Sequence, residues 1–379
     1  MNRSQEQLLE LTRCALWSKE LSIQLFEEEC DWAEVLQLAK EQTLLGVVSS
    51  AIERLPMSLH PSRSERLRLH QQLTLNRQYR SHHVEVLSKL LELVARAGVE
   101  RPVLLKGLGV GLNYPDPSVR QCGDIDLYVG DRYYSKVREF LCDELGFEID
   151  NTNVIQHFSF DFIETHIEIH RYATSPRGVA FRSREFTEWS VSQLEGEELR
   201  RVSIDGVMVY LPPYNFDFIF IFYHAWRHFL SGGVGLRQLC DWCCFINSFC
   251  DKLDVKELDR LIKRFKLRIP ISLFATICVK ELGVSSDLFR ENISTTMPQY
   301  KKVLDKIWIG GNFGYYASRE VKKSRTLFER KCNSFVSHLQ KMKFLFDLDW
   351  KYSIGYYIPF FVMRTIHAVK HYKKLGDTL

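Results

Sequence analysis

Residues Lys106 to Val129 read KGLGVGLNYPDPSVRQCGDIDLYV. The segment opens where an apolar run, Val103-Leu104-Leu105, stops at Lys106-Gly107. A short glycine-containing helix and a proline-rich loop follow, and Gly123-Asp124-Ile125-Asp126-Leu127 closes the stretch. Alternate side chains of a strand share a face. Asp124 and Asp126 therefore point to one side, and Ile125, Leu127 and Val129 point to the other, into the core.

The run His166-Ile167-Glu168-Ile169-His170 repeats this design. Glu168, with a histidine on either side of it along the strand, lies opposite the face of Ile167 and Ile169. If the two strands are neighbours, three carboxylates converge on one open face. Bare carboxylates at that separation repel one another and raise each other's pKa. A hard divalent cation removes the conflict, and Mg²⁺, with Mn²⁺ as the alternative, favours a few carboxylates plus substrate phosphates. Three acids on two strands suit a two-metal site for in-line displacement at phosphorus. An isolated Asp-x-Asp is ordinarily the wet side of a strand. The strand-ending Lys-Gly, the loop and the third acid downstream are what turn this one towards chemistry.

Outward from this centre, the periodicity divides the chain in three. From Ser4 to about Gly98 the pattern is helical, with stripes at Leu8, Leu11 and Ala15 and at Val86, Leu87, Leu90, Leu91 and Val94. The stretch Pro56 to Arg63 breaks it, because two prolines restrict the backbone there. From Arg101 to Pro213, β-type runs occur at Val103–Leu105, Ile125–Val129, Phe158–Ile163, His166–His170 and Val207–Leu211, with a helix at Tyr133–Leu145. Beyond Pro212-Pro213 the chain reads as helical at Asn215–Phe229, Gly235–Phe249, Val255–Phe265 and Ile269–Leu282, then near Ser318–Leu345 and Ser353–Lys374. The expected fold is α+β: a mixed-sheet core over 99–213, flanked by an N-terminal helical region, 1–98, and a C-terminal helical domain, 214–379.

The composition bounds the function. With 379 residues the chain has room for two or three folding units. Hydrophobic residues at 45% and charged residues at 26% exclude a disordered, collagen-like or coiled-coil chain. A net charge of +4 offers no bulk polycation for nucleic acid, so any basic site is local. Ten cysteines are too sparse for a disulfide scaffold, and the start, MNRSQEQLLELTRC, has no apolar signal core. A cytoplasmic protein with reduced thiols is expected. The apolar stretch Tyr352 to Met363 is shorter than the ~20 residues a membrane span needs, so no transmembrane segment is expected.

In the order Gly107, Asp124 and Asp126, then Glu168, the chain resembles the nucleotidyltransferase superfamily with the DNA polymerase β-like fold, and specifically its large bacterial branch of uncharacterised nucleotidyltransferases. The resemblance covers Val103 to His170 and continues more weakly from Tyr223 to Trp242. It implies an enzyme that moves a nucleoside monophosphate from an NTP to an acceptor and releases pyrophosphate. By that resemblance Asp124 and Asp126 hold both metals, and Glu168 completes the nucleophile-side metal and takes the acceptor's proton. The sequence departs from the superfamily at Leu108, where Gly or Ser usually helps to seat the triphosphate. Gly109 and Gly111 let the backbone approach instead.

Further residues are expected at the nucleotide: Gly107 and Gly123 beside the acids, and Lys106 and Arg120 as cations for the phosphates or the leaving pyrophosphate. His224 and His228 stand one helical turn apart. Without a third ligand they read better as hydrogen-bonded histidines than as a zinc site, and the resemblance brings His224 to the nucleotide. Arg237 and Asp241 follow the glycine-rich Gly232 to Gly235. The resemblance turns them to the cleft, whereas their i, i+4 spacing also suits a pair that only supports its helix. Cys240, Cys243, Cys244 and Cys250 fit small buried hydrophobes. The basic tail His367 to Lys374 offers a contact for RNA or an anionic lipid surface. Two alternatives stand beside transfer to a small molecule, protein or RNA: a toxin-like tRNA nucleotidyltransferase, and a catalytically silent nucleotide- or partner-binding module, which Leu108 suggests.

Overall fold

The computed structural model describes residues 1–28, 30–146, 156–174, 183–289 and 293–312, with short stretches between 336 and 362. The N-terminal part is helical: α1 (Arg3–Trp17), α2 (Gln24–Glu27), α3 (Trp32–Glu41), α4 (Leu45–Ile52) and α5 (Arg63–Arg96). Capping boxes start the two longest, with Asn2 and Gln5 on α1 and Ser62 and Glu65 on α5. The proline break expected near Pro56 is the connection between α4 and α5.

The sheet is built from β1 (Val103–Leu105), β2 (Asp124–Tyr128), β3 (His157–Phe162), β4 (Thr165–His170), β5 (Arg200–Ile204) and β6 (Val207–Leu211). Between strands lie α6 (Gly107–Gly111), α7 (Asp131–Leu145) and α8 (Ser183–Leu194). The strand order is β3-β4-β2-β1-β6-β5. β2 and β4 run parallel, as do β1 and β6, while β1 with β2, β3 with β4 and β5 with β6 are antiparallel. The sheet is thus mixed and the class α+β, as the sequence predicts. Neither β5 nor α8 was expected. β5 is paired to β6 through Asp205-Gly206, both at positive φ (47° and 94°), the residue pair a tight hairpin turn favours.

One face of the sheet is covered. Ile125, Leu127, Val129, Phe158, Phe160, Ile167 and Ile169 pack with Val86, Leu87, Leu90 and Val94 of α5 and with Tyr134, Val137 and Leu141 of α7. Leu108 belongs to this same core and is buried. The residue that departs from the superfamily pattern is thus an apolar anchor of α6. A second apolar centre is helical, formed by α9 (Tyr214–Ser231), α10 (Leu236–Phe249), α11 (Val255–Arg264), α12 (Arg268–Lys280) and α13 (Tyr300–Gly310). Phe222 stacks its ring edge against Phe274 at 5.4 Å, and the Trp242 indole donates to the Phe218 carbonyl at 3.0 Å.

The chain divides into two compact units, Met1–Ala173 with Ser190–Ser318, and Thr174–Trp189 with Arg319–Leu379. The helices expected near Ser318–Leu345 and Ser353–Lys374, the apolar stretch Tyr352–Met363 and the basic tail lie largely or wholly outside the described residues. Among the described residues no helix is long and apolar enough to cross a membrane.

The loop ahead of β2 is seated against α4. A Cβ on Gly46 would stand 2.2 Å from the Val119 carbonyl oxygen and 2.8 Å from Asn76 Nδ2. Gly46→Ala is expected to cost about 1–3 kcal/mol of stability through overpacking. Chemical denaturation checks this, and an unchanged midpoint with unchanged slope would contradict the tight packing.

Candidate active site

Strand register assembles the acids. In the parallel β2–β4 pair, Asp126 stands opposite Glu168, Asp124 opposite His166 and Tyr128 opposite His170. These residues alternate with Ile125, Leu127, Ile167 and Ile169 of the core, so they share the sheet's other face. Leu105 of β1 is the partner of Asp126 on its far side. The chain then turns sharply, with Lys106 at φ 51° and Gly107 at φ 47°. Positive φ is costly for a residue with a side chain. Here it accompanies the contact of Lys106 Nζ with Asp126 Oδ1 at 3.0 Å. Gly107 also lies close behind β2, since a Cβ there would meet the Asp124 carbonyl oxygen and Cys122 Sγ at 3.3 Å. Gly123 has open space where a side chain would be.

Two histidines complete the face. His170 Nε2 lies 2.9 Å from Asp126 Oδ1 and 3.1 Å from Glu168 Oε2. His157, the register partner of His170 across the β3–β4 hairpin, brings its Nε2 to 3.8 Å from Glu168 Oε1. Asp126 is almost wholly buried, with a side chain 1% exposed, whereas Glu168 keeps 23%.

The charges settle according to these contacts. Burial would raise the Asp126 carboxyl, but Lys106 and His170 outweigh it and hold the group far below the usual carboxylate range. Glu168 is likewise lowered against its burial, chiefly by His170. Asp124 goes the other way, raised by burial and by the neighbouring Asp126. Burial opposes the charged form of His170, yet its hydrogen bonds to Asp126 and Glu168 push it up to about 9. His157 is lowered by burial and by His170. Lys106 is raised, because the three carboxylates outweigh its burial. Oxygen donors whose mutual repulsion is relieved chiefly by the Lys106 ammonium and the His170 imidazolium match what a hard divalent cation binds. The donor chemistry therefore suits a metal. Among the described residues, the potential ligand atoms that gather within 4.8 Å of one another are those of Glu168, His157 and His170.

The remaining expected residues fall into separate arrangements. Arg120 grips Asp241 with two hydrogen bonds, Nε to Oδ1 at 2.7 Å and Nη2 to Oδ2 at 2.9 Å. Tyr114 donates its hydroxyl to the same Oδ1 at 2.7 Å. Arg120 and Asp241 thus bind each other, tying the loop before β2 to α10. Arg237 approaches Asp241 Oδ2 only at 3.4 Å, and its buried Nε–H has no partner among the described residues. His224 and His228 face each other on α9, Nε2 to Nε2 at 3.0 Å. Burial, then the positive charge of Lys106, lowers both, His224 well below the ordinary value and His228 to about 4. Buried Cys240, Cys243 and Cys244 are raised by burial and stay protonated thiols.

Sequence reasoning did not single out His157, His170 or Tyr114 as site residues. His170 was visible as the residue two beyond Glu168, on the same face. His157 becomes visible only with the hairpin register, and Tyr114 only with the tertiary fold.

The six-stranded mixed sheet, with its strand–turn–helix at Gly107 and acids alternating on adjoining strands, is a nucleotidyltransferase-like α+β fold. The chain belongs to the uncharacterised nucleotidyltransferase family, whose model matches residues 28–283 and so spans the sheet and the helices through α12. Its activity class is nucleotidyl transfer. No curated protein and no solved structure matches it.

Asp241→Asn would leave Arg120, whose side chain is 6% exposed, without its counter-charge. A loss of about 3 kcal/mol or more is expected by equilibrium unfolding, and a neutral result would contradict a structural pair. The two α9 histidines set a pH dependence. Their folded pKa values lie below the 6.5 of the free side chain, so the unfolded state binds more protons between about 6.5 and 4. Stability should fall as pH drops through that window, and His228→Gln should flatten the slope of the thermal midpoint. An equal slope in both proteins would contradict neutral burial.

Proposed function

We propose that the protein is a Mg²⁺-dependent nucleotidyltransferase that moves a nucleoside monophosphate from an NTP to an acceptor hydroxyl and releases pyrophosphate. The observation that carries this reading is the β2–β4 register, which sets Asp126 beside Glu168 with Asp124 on the same face. Asp124, Asp126 and Glu168 would hold the cation, with Mn²⁺ as a substitute. Bound there, the cation supplies charge neutralisation at the phosphates and lowers the acceptor's pKa.

The chain's own groups do the rest. Lys106 and His170 keep Asp126 ionised and oriented. Glu168, which keeps access to solvent where Asp126 does not, receives the acceptor proton. Arg237 suits the triphosphate because its Nε–H is desolvated and idle. Arg120, by clamping Asp241, holds α10 and with it Arg237, so its part is positioning. The open space at Gly123 and the backbone of Gly107 admit the phosphates close to β2. A neutral His224 offers a hydrogen bond to base or ribose. One observation favours a catalytically silent nucleotide-binding module instead: Leu108 lies in the core, so the start of α6 presents no side-chain hydroxyl.

Asp124 is the position to change, because Asp126 is buried in two ion pairs and its loss would disturb folding as well. Asp124→Asn is expected to cut pyrophosphate release from labelled NTPs by roughly a hundredfold or more, the scale of losing a preorganised electrostatic partner. The assay is run with cell lysate as the acceptor source. Full activity in the variant would refute the assignment, and ATP binding without any pyrophosphate from the wild type would establish the silent module.

A further inference from the structure

The hairpin β3–β4 places two imidazoles and one carboxylate on the face that carries the acids. His157 and His170 are direct cross-strand partners, with ring centroids 5.0 Å apart and planes inclined by 48°. Glu168, two residues before His170 on the same side of β4, turns one oxygen towards each ring. Oε2 is 3.1 Å from His170 Nε2 and Oε1 is 3.8 Å from His157 Nε2. The longer distance exceeds a hydrogen bond. Among the described residues His157 Nδ1 is buried without a hydrogen-bond partner. The other nitrogen, Nε2, is the one that faces Glu168, so its lone pair is the one a metal would take.

We propose that His157, Glu168 and His170 form a metal position that takes a transition-metal dication of the Zn²⁺ or Co²⁺ class in preference to Mg²⁺. Three potential ligand atoms within 4.8 Å of one another stand close to the spacing of a single ion's ligands, and small side-chain rotations would draw them in to ordinary bond lengths of about 2.0–2.2 Å. Two neutral imidazoles and one carboxylate form a donor set used by catalytic zinc sites, which leave a further coordination position open. Mg²⁺ prefers oxygen donors and retained water, so nitrogen ligands discriminate against it. Binding at His170 Nε2 displaces the proton that this nitrogen now shares with Asp126 and Glu168, and that proton leaves to solvent. Asp126 Oδ1, 2.9 Å from the same nitrogen, borders the position. The proposal deepens the transfer reading and rests on it only for the ion's role beside Glu168. The two metal positions of the face would then differ in kind, one oxygen-rich at Asp124 and Asp126, the other nitrogen-bearing at Glu168.

The test is a Co²⁺ titration of the full-length, chelator-stripped protein in a large excess of Mg²⁺, read by visible d–d absorption. One equivalent should bind with an intense, low-coordination spectrum that Mg²⁺ does not erase. His157→Gln should weaken Co²⁺ affinity about tenfold or more, at least the effect of losing a supporting partner of a metal ligand. Asp124→Asn should bind Co²⁺ as the wild type does. Equal affinity in wild type and His157→Gln, or loss of the spectrum in Mg²⁺, would overturn the proposal. Should His157→Gln fail to fold by circular dichroism, Zn K-edge absorption on the wild type decides: two imidazole ligands support the site, and an oxygen-only shell overturns it. The two readings fail separately. Co²⁺ binding without pyrophosphate release sinks only nucleotidyl transfer, whereas Mg²⁺-dependent release without specific Co²⁺ binding sinks only the nitrogen-bearing position.

Discussion

The parallel pairing of β2 with β4 is the constraint on which the site depends. A slip of one residue between these strands would send Ile167 and Ile169 to the open face and Glu168 into the core. The register is held from the apolar side, where Ile125, Leu127, Ile167 and Ile169 pack against α5 and α7. Specificity of the chemistry is therefore enforced by the side of the sheet that does no chemistry. The β3–β4 hairpin extends the same logic, since the registration that buries Phe158 and Phe160 also delivers His157 to His170.

Convergent carboxylates are unstable company without cations, and the fold supplies two from opposite directions. Lys106 comes from the strained turn after β1, and His170 from the end of β4. Both meet at Asp126 Oδ1, which explains why that carboxylate stays ionised at 1% exposure while Asp124, beside it, is raised. A second charge centre, Arg120 with Asp241, lies between the loop before β2 and α10. It engages one of the cations expected at the nucleotide and leaves Arg237 with an unused donor. The difference between Arg120, which commits two donors to Asp241, and Arg237, which keeps its Nε–H unpaired among the described residues, follows from hydrogen-bond geometry, and charge alone does not reveal it.

Much of the frame was legible because its strands alternate strictly. Asp124-Ile125-Asp126-Leu127 and His166 to His170 carry period-two patterns that few other structures produce, and the short apolar run of β1 ends at a Lys-Gly turn. β5 was not legible from its own composition: Arg200-Arg201-Val202-Ser203-Ile204 has too few apolar residues, and its signal is the Asp205-Gly206 turn that follows. Partnerships across long separations were beyond reach. Arg120 and Asp241 are 121 positions apart, and nothing in either neighbourhood names the other. Leu108 shows the converse case. Its departure from the superfamily pattern was visible, and its reason, a place in the core beneath the sheet, required the fold.

The most direct test of the account is to locate the metal. Crystals grown with Mn²⁺ and a non-hydrolysable NTP analogue would show the ion through its anomalous scattering. A metal-dependent transferase should give a peak in coordination contact with the Asp124 and Asp126 carboxylates and with the phosphates of the analogue. A nucleotide bound without metal on this face, or a peak on other residues altogether, would contradict it.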